Sequence, residues 1–249
     1  MSMNKVCNVE DWKKLKIDEE PKRRKTWEVQ MALDALKPVS KSGCEILGVG
    51  AGYESTIFHL CNTGARVWAT DIYVDANQWS NFAPISMLTD PSSCSPFPFD
   101  ETKLITQHMD MRHLRCPDNY FDGVFSSGSI EHVGDLADVA NAAKEIGRVL
   151  KPGGTASIST EFKLSGDGYG WDGVVVFDEE MLNEHIIKPS GLKLTSKLDL
   201  KISKATLDTA YPLSDFVNAY NRGIQITHDD VVLSHDGILF TSIHLVLTK

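Results

Sequence analysis

The stretch CEILGVGAGYES, Cys44 to Ser55, sets Gly48, Gly50 and Gly52 at alternate positions behind a short apolar run. Such a turn brings backbone N–H groups close to a ligand, and the flanking residues decide which ligand. A phosphate loop needs Lys and then Ser or Thr after its last glycine, and here Tyr53-Glu54 follows. A nicotinamide fingerprint, G-x-G-x-x-G, needs a third glycine for close packing of helix on strand. Counted from Gly48, that third position is Tyr53. The pattern that remains is G-x-G-x-G.

Three carboxylates stand at positions that suit a nucleoside. Asp71 lies roughly 20 residues past the turn, where an acid accepts hydrogen bonds from both ribose hydroxyls. Asp110 closes the run HMD, where a carboxylate can accept from an adenine amino group, and Met111 beside it offers a soft apolar face for the ring. Glu54, just past the turn, can reach an amino group; its other reading is simple attraction to a helix N-terminus. Further on, His132 has an ordinary pKa that suits a base at neutral pH. Glu131 and Glu161 are the other candidates for moving a proton. Trp79 and Trp171 sit in irregular stretches that can wall an acceptor pocket.

The elements that must hold these residues follow from periodicity. RKTWEVQMALDALKP reads as a helix ended by Pro38. CEILGVG is a buried strand, YESTIFHLCNTG a helix closed by Gly64, and ARVWATDIY a second strand. LITQHMDM and YFDGVFSSGS are strands three and four. DLADVANAAKEIGRVLKPGG is a helix capped by Asp135 and stopped at Pro152-Gly153, and TASISTEF is strand five. A helix capped by Asp178 leads to a sixth strand, LKLTSKLDL, and two β-rich runs flank the turn His235-Asp236-Gly237. The alternation predicts an α/β fold: a mostly parallel sheet with helices on both faces, and an antiparallel edge at the end. Ligands of such sheets sit beyond the carboxyl ends of the strands. Segment 74–100, with four prolines and the aromatics Trp79, Phe82, Phe97 and Phe99, is long for its place and predicts a lid. Segment 163–176 predicts a second flap.

Composition bounds the rest. The 249 residues fit one domain with a helical extension at 1–38. The formal charge of −9 argues against a nucleic-acid partner. The five cysteines form no C-x-x-C pair, so neither zinc ribbon nor disulfide framework is expected. No apolar run reaches the length of a membrane span, and the charged N-terminus suggests a cytoplasmic protein. The basic run at 22–25 reads as a solvated helix or tail.

LGVGAG, ATDIY, HMDM, FDGVFSSGSIEHV and GRVLKPGG occur in an order that resembles the class I S-adenosylmethionine (SAM)-dependent methyltransferases, and in particular their small-molecule group. The resemblance spans roughly residues 43–162 and implies a seven-stranded Rossmann-like sheet with a reversed last strand. It implies cofactor contacts from Gly48, Gly50, Gly52, Asp71, Ile72, Asp110 and Met111, with Ser126 or Ser127 beneath the methionine portion. One departure is Ile46, where the family usually has an acid. A second is Gly128, which replaces the first acid of the E-x-x-E-H run that holds a divalent ion in related enzymes, so no metal is expected. The expected activity is methylation of a small polar acceptor, most readily a hydroxyl of a sugar or natural product; the alternative is an inactive SAM-binding scaffold.

Overall fold

A computed structural model describes residues 2–17, 23–76, 79–224 and 229–249. The expected alternation builds the centre of the molecule. Strands β1 (Glu45–Val49), β2 (Arg66–Asp71), β3 (Leu104–His108), β4 (Phe121–Ser127) and β5 (Leu150–Ser165) lie in the order β3-β2-β1-β4-β5. Each adjacent pair is parallel. All five carboxyl ends therefore face the same way, and the order turns back between β1 and β4. That is the switch point at which such sheets hold ligands.

The end of the chain differs in detail from the expected antiparallel edge. Lys193–Leu194 forms a two-residue β6, and Ile238–Thr248 forms β7. Strand β7 is antiparallel, but it lies inside the sheet rather than at its edge, paired with β5 along nearly its whole length. Three short segments share its other side in turn. They are β6 against Leu247 and Thr248, Lys5–Val6 against His244 and Ile243, and Leu233–His235 against residues 238–240. The predicted sixth strand is cut short because Lys5–Val6 occupies the next positions on β7. The chain after Leu194 then follows the N-terminal segment instead, and Asp199 N–H donates to the Asn4 carbonyl at 2.8 Å. Among the described residues the sheet thus carries ten strands, seven of them the expected set.

Helix α1 (Arg24–Leu36) packs Trp27, Met31, Ala32 and Leu36 inward. Helix α2 (Ser55–Cys61) follows the glycine turn. Helix α3 (Leu136–Val149) starts where Asp135 accepts from the N–H groups of Ala137 and Asp138, at 2.8 and 3.0 Å. It stops before Pro152, because Leu150 already pairs with Phe121. Its face of Val139, Ala142, Ala143, Ile146 and Val149 is buried on the sheet. Among the described residues, no helix is long and apolar enough to cross a membrane.

Candidate functional site

The glycine turn joins β1 to α2 at the switch point, and its glycines are needed on steric grounds. Gly50 and Gly52 have φ of +59° and +50°. A Cβ on Gly50 would lie 2.5 Å from Met111 Cε, and one on Gly52 would lie 2.2 Å from the Phe82 carbonyl oxygen. Gly48 faces the Phe125 ring just as closely, at 2.5 Å. Asp71, at the end of β2, fixes the turn: its Oδ2 accepts from Gly52 N–H at 2.8 Å and its Oδ1 from Ile72 N–H at 2.7 Å. Burial raises its pKa, and those two donors hold it back. Tyr73 Oη donates to the Gly52 carbonyl at 2.7 Å, and Ser129 Oγ to the Gly50 carbonyl at 2.6 Å. Turn, strand ends and the start of the 74–100 segment thus form one rigid assembly.

Met111 is buried against the turn. Both oxygens of Asp110 are held by the Arg112 guanidinium at 2.7 to 3.0 Å. That fork keeps its carboxyl below the usual range.

His132 follows β4 and receives both irregular segments. Its Nδ1 lies 3.0 Å from the Gly173 carbonyl, and its ring lies against Trp79, tilted by 42° with centroids 4.3 Å apart. A carbonyl only accepts, so Nδ1 carries the hydrogen and Nε2 keeps its lone pair. Burial lowers the pKa of this imidazole. The aromatics of 74–100 divide. Trp79 meets His132, while Phe97 and Phe99 pack on Phe58, at 6.5 and 4.8 Å, as ordinary core. Trp171 is not brought to His132; it packs on His235 and Phe240, at 4.4 and 5.4 Å. Asp75, Asp167 and Asp172, on the same two segments, are exposed, and Asn77 lies outside the described residues.

Glu161 is partly buried. It lies within β5 and grips Arg24, whose Nη2 donates to Oε1 at 2.9 Å. Glu131 is 1% exposed and accepts from Thr160 Oγ1 at 3.0 Å. Burial raises both carboxyl pKa values, and each acid is raised further by carboxylates around it. Among the described residues, no group of three or more His, Cys, Asp or Glu is placed to hold a metal ion.

Residues 47–158 match the family model described as a methyltransferase domain. The match covers a little under half of the chain, and the sheet around it has the fold of the class I SAM-dependent methyltransferases. No curated protein sequence matches the chain. The fold is also that of a putative sarcosine dimethylglycine methyltransferase from Galdieria sulphuraria, at 15% identity and a TM-score of 0.59, covering 100% of this chain and 92% of that one. The Haemonchus contortus phosphoethanolamine N-methyltransferase 2, solved with SAM, is similar at 17% identity and a TM-score of 0.55, over 88% of this chain and 52% of that one. The (4+2)-cyclase SpnF is similar at 16% identity and a TM-score of 0.58, over 89% and 80%.

The methyltransferase site has the polar character that SAM requires. The buried Oγ atoms of Ser126, Ser127 and Ser159 and Oε2 of Glu54 find no hydrogen-bond partner within the protein. Ser127, at the end of β4, and Ser159, within β5, are register neighbours. Each such buried atom costs about 1–3 kcal/mol unless a ligand satisfies it. A cofactor with an amino-acid tail and a ribose carries donors and acceptors of the right kind. The residues that would hold it are the glycine turn, Asp71, Met111, Ser126, Ser127 and Glu54.

The sequence reading missed α1 as a contributor to this site. Arg24 and Lys25 are not a solvated face. Arg24 pairs with Glu161, while Lys25 Nζ donates to the Ser127 carbonyl at 2.7 Å, to Glu28 at 3.1 Å and to Glu54. Glu28 is buried and also accepts from Ser242 Oγ. Glu54 turns to Lys25 and makes no side-chain cap on α2. Burial pushes its pKa up to about 7, with Lys25 opposing the shift. A local signal existed: two cations and no acid in the first turn of α1 oppose the helix dipole, so they need partners elsewhere.

Proposed function

We propose that the protein methylates a hydroxyl of a small polar acceptor, such as a sugar or natural product, with His132 as the base. The observation that carries this reading is the bond from His132 Nδ1–H to the Gly173 carbonyl. It fixes the tautomer, orients the ring and leaves Nε2 free to accept a proton. Burial lowers the imidazole's pKa and so favours the neutral ring. Trp79 holds one face of the ring.

SAM supplies an activated methyl group on a sulfonium. The chain's part is then alignment and proton removal. His132 Nε2 would take the proton of the acceptor hydroxyl, and SAM bound on the glycine turn would supply the methyl group and leave as S-adenosylhomocysteine. Gly48, Gly50, Gly52, Asp71 and Ile72 position the nucleoside. Segments 79–85 and 170–175 close over His132 and exclude water. Buried Glu131 and Glu161 belong to the charged network under the site and do not move the proton. The acidic balance of the chain supports a small molecule rather than a nucleic acid as acceptor.

The test is incubation with methyl-labelled SAM and a panel of glycosides, phenols and amines. Label on hydroxyl acceptors, lost in His132→Ala, supports the proposal. Label confined to amines refutes the hydroxyl. Tight cofactor binding without transfer to any class favours the second reading, a SAM-binding scaffold.

A further inference from the structure

We propose that Lys25 reads the amino-acid end of the cofactor by exchanging ion pairs: its ammonium leaves Glu54 to the cofactor's α-ammonium and turns to the α-carboxylate. The inference rests on SAM being the cofactor of this site.

Three acceptors surround Lys25 Nζ, namely the Ser127 carbonyl at 2.7 Å, Glu28 Oε2 at 3.1 Å and Glu54 Oε1. One carbonyl and two carboxylates around a single nitrogen make a binding site for an ammonium group. The occupant is the tip of a flexible four-carbon chain, and 47% of that side chain is open to solvent. It can therefore swing without unpacking α1. Its partner Glu54 is the less mobile member, with a side chain only 12% exposed.

The surroundings point to a ligand with more polar groups than Lys25 satisfies. Glu54 Oε2 has no partner, and neither do Ser126 Oγ, Ser127 Oγ or Ser159 Oγ, all three on residues at least 98% buried. A zwitterion matches this arrangement. Its cation replaces Lys25 between Glu54 and the Ser127 carbonyl, and its anion gives the displaced Lys25 a new partner. No charge is left unpaired by the exchange, which matters in a site where a lone buried ion is costly. A nucleoside without the amino-acid tail supplies neither charge, so the Lys25–Glu54 pair stays closed beneath it.

The experiment is calorimetric titration with S-adenosylhomocysteine, which carries the zwitterion, and with 5′-methylthioadenosine, which lacks it. Lys25→Met is expected to weaken S-adenosylhomocysteine roughly 10–100-fold, as for loss of a charge-assisted hydrogen bond, with methylthioadenosine within about twofold. Lys25→Arg should keep most of the discrimination, and Glu54→Gln should lose it. Retained methylthioadenosine binding also shows that each variant is folded. An equal fall for both ligands makes Lys25 a structural residue and overturns the inference. So does unchanged or tighter S-adenosylhomocysteine binding in Lys25→Met. If the wild-type protein binds neither nucleoside, the cofactor reading itself fails, and the inference with it.

Discussion

Replacing Gly52 by alanine tests whether the segment after β2 stands on the glycine turn. An alanine held at φ +50° bears a left-handed backbone cost of about 1–2 kcal/mol. Its Cβ also meets the Phe82 carbonyl oxygen at 2.2 Å, where real contacts begin near 3.0 Å. Because the obstacle is backbone, a rotamer change gives no relief, and the segment must withdraw by at least 0.8 Å (3.0 minus 2.2). Trp79 moves with it, since the Phe82 and Ala83 N–H groups both donate to the Trp79 carbonyl, at 2.8 and 2.9 Å. Its contact with His132 is then disturbed. Gly153 is the control: φ is +80°, and nothing lies within 4 Å of its added Cβ. In urea denaturation Gly153→Ala should lose only the backbone term, about 1–2 kcal/mol. Gly52→Ala should lose about 1–3 kcal/mol more, the usual cost of overpacking, and should weaken S-adenosylhomocysteine in calorimetry. Equal destabilisation by the two substitutions, with cofactor affinity unchanged in Gly52→Ala, would refute the contact.

His132→Ala should lower turnover roughly 10²–10⁴-fold with cofactor affinity unchanged. In the wild-type protein the rate should fall in acid, with a midpoint below the ordinary histidine value, because burial lowers the pKa; near-normal turnover in the variant would leave alignment alone as the catalyst. Asp71→Ala should weaken S-adenosylhomocysteine by about 1.5–3 kcal/mol, the value of a hydrogen bond to a charged group; unchanged calorimetric affinity would remove Asp71 from the ribose site. Glu131 has a folded pKa raised by burial, so its contribution to stability is fully present below the ordinary glutamate range and is lost as pH rises through the folded value. Relative to Glu131→Gln, the wild-type protein should lose stability between pH 5 and 9 by up to about 1.4 kcal/mol per pH unit, and parallel denaturation profiles would contradict that.

Local rules made the parallel sheet and the turn legible. Glycines that must adopt positive φ, an acid closing the next strand, and Asp135 capping a helix all act over a few residues. The misreadings have physical causes too. LKLTSKLDL has strand composition, but Lys5–Val6 holds the next places on β7. Phe97 and Phe99 sit in a stretch with the composition of a lid, yet Phe58 on α2 buries them. TASISTEF reads as a strand ending at Phe162, but β5 continues to Ser165 because β7 runs beside it.

The charged residues of α1 are the plainest failure of local reading. Arg24 meets Glu161 across 137 positions, and Lys25 meets the Ser127 carbonyl across 102. Nothing in the run KRRK distinguishes such cations from solvated ones except their place at a helix N-terminus, where the dipole disfavours them. Their partners explain why that place is tolerated. Glu28, Glu54, Glu131 and Glu161 are all withdrawn from water, and unpaired carboxylates there are costly. Arg24 and Lys25, adjacent on the first turn of α1, reach three of the four. Docking of α1 and burial of these acids are therefore one event. The acids raised by burial, Glu54, Glu131 and Glu161, mark where compensation is incomplete. A cofactor bearing a sulfonium and an ammonium brings positive charge to the side of the fold where carboxylates outnumber cations.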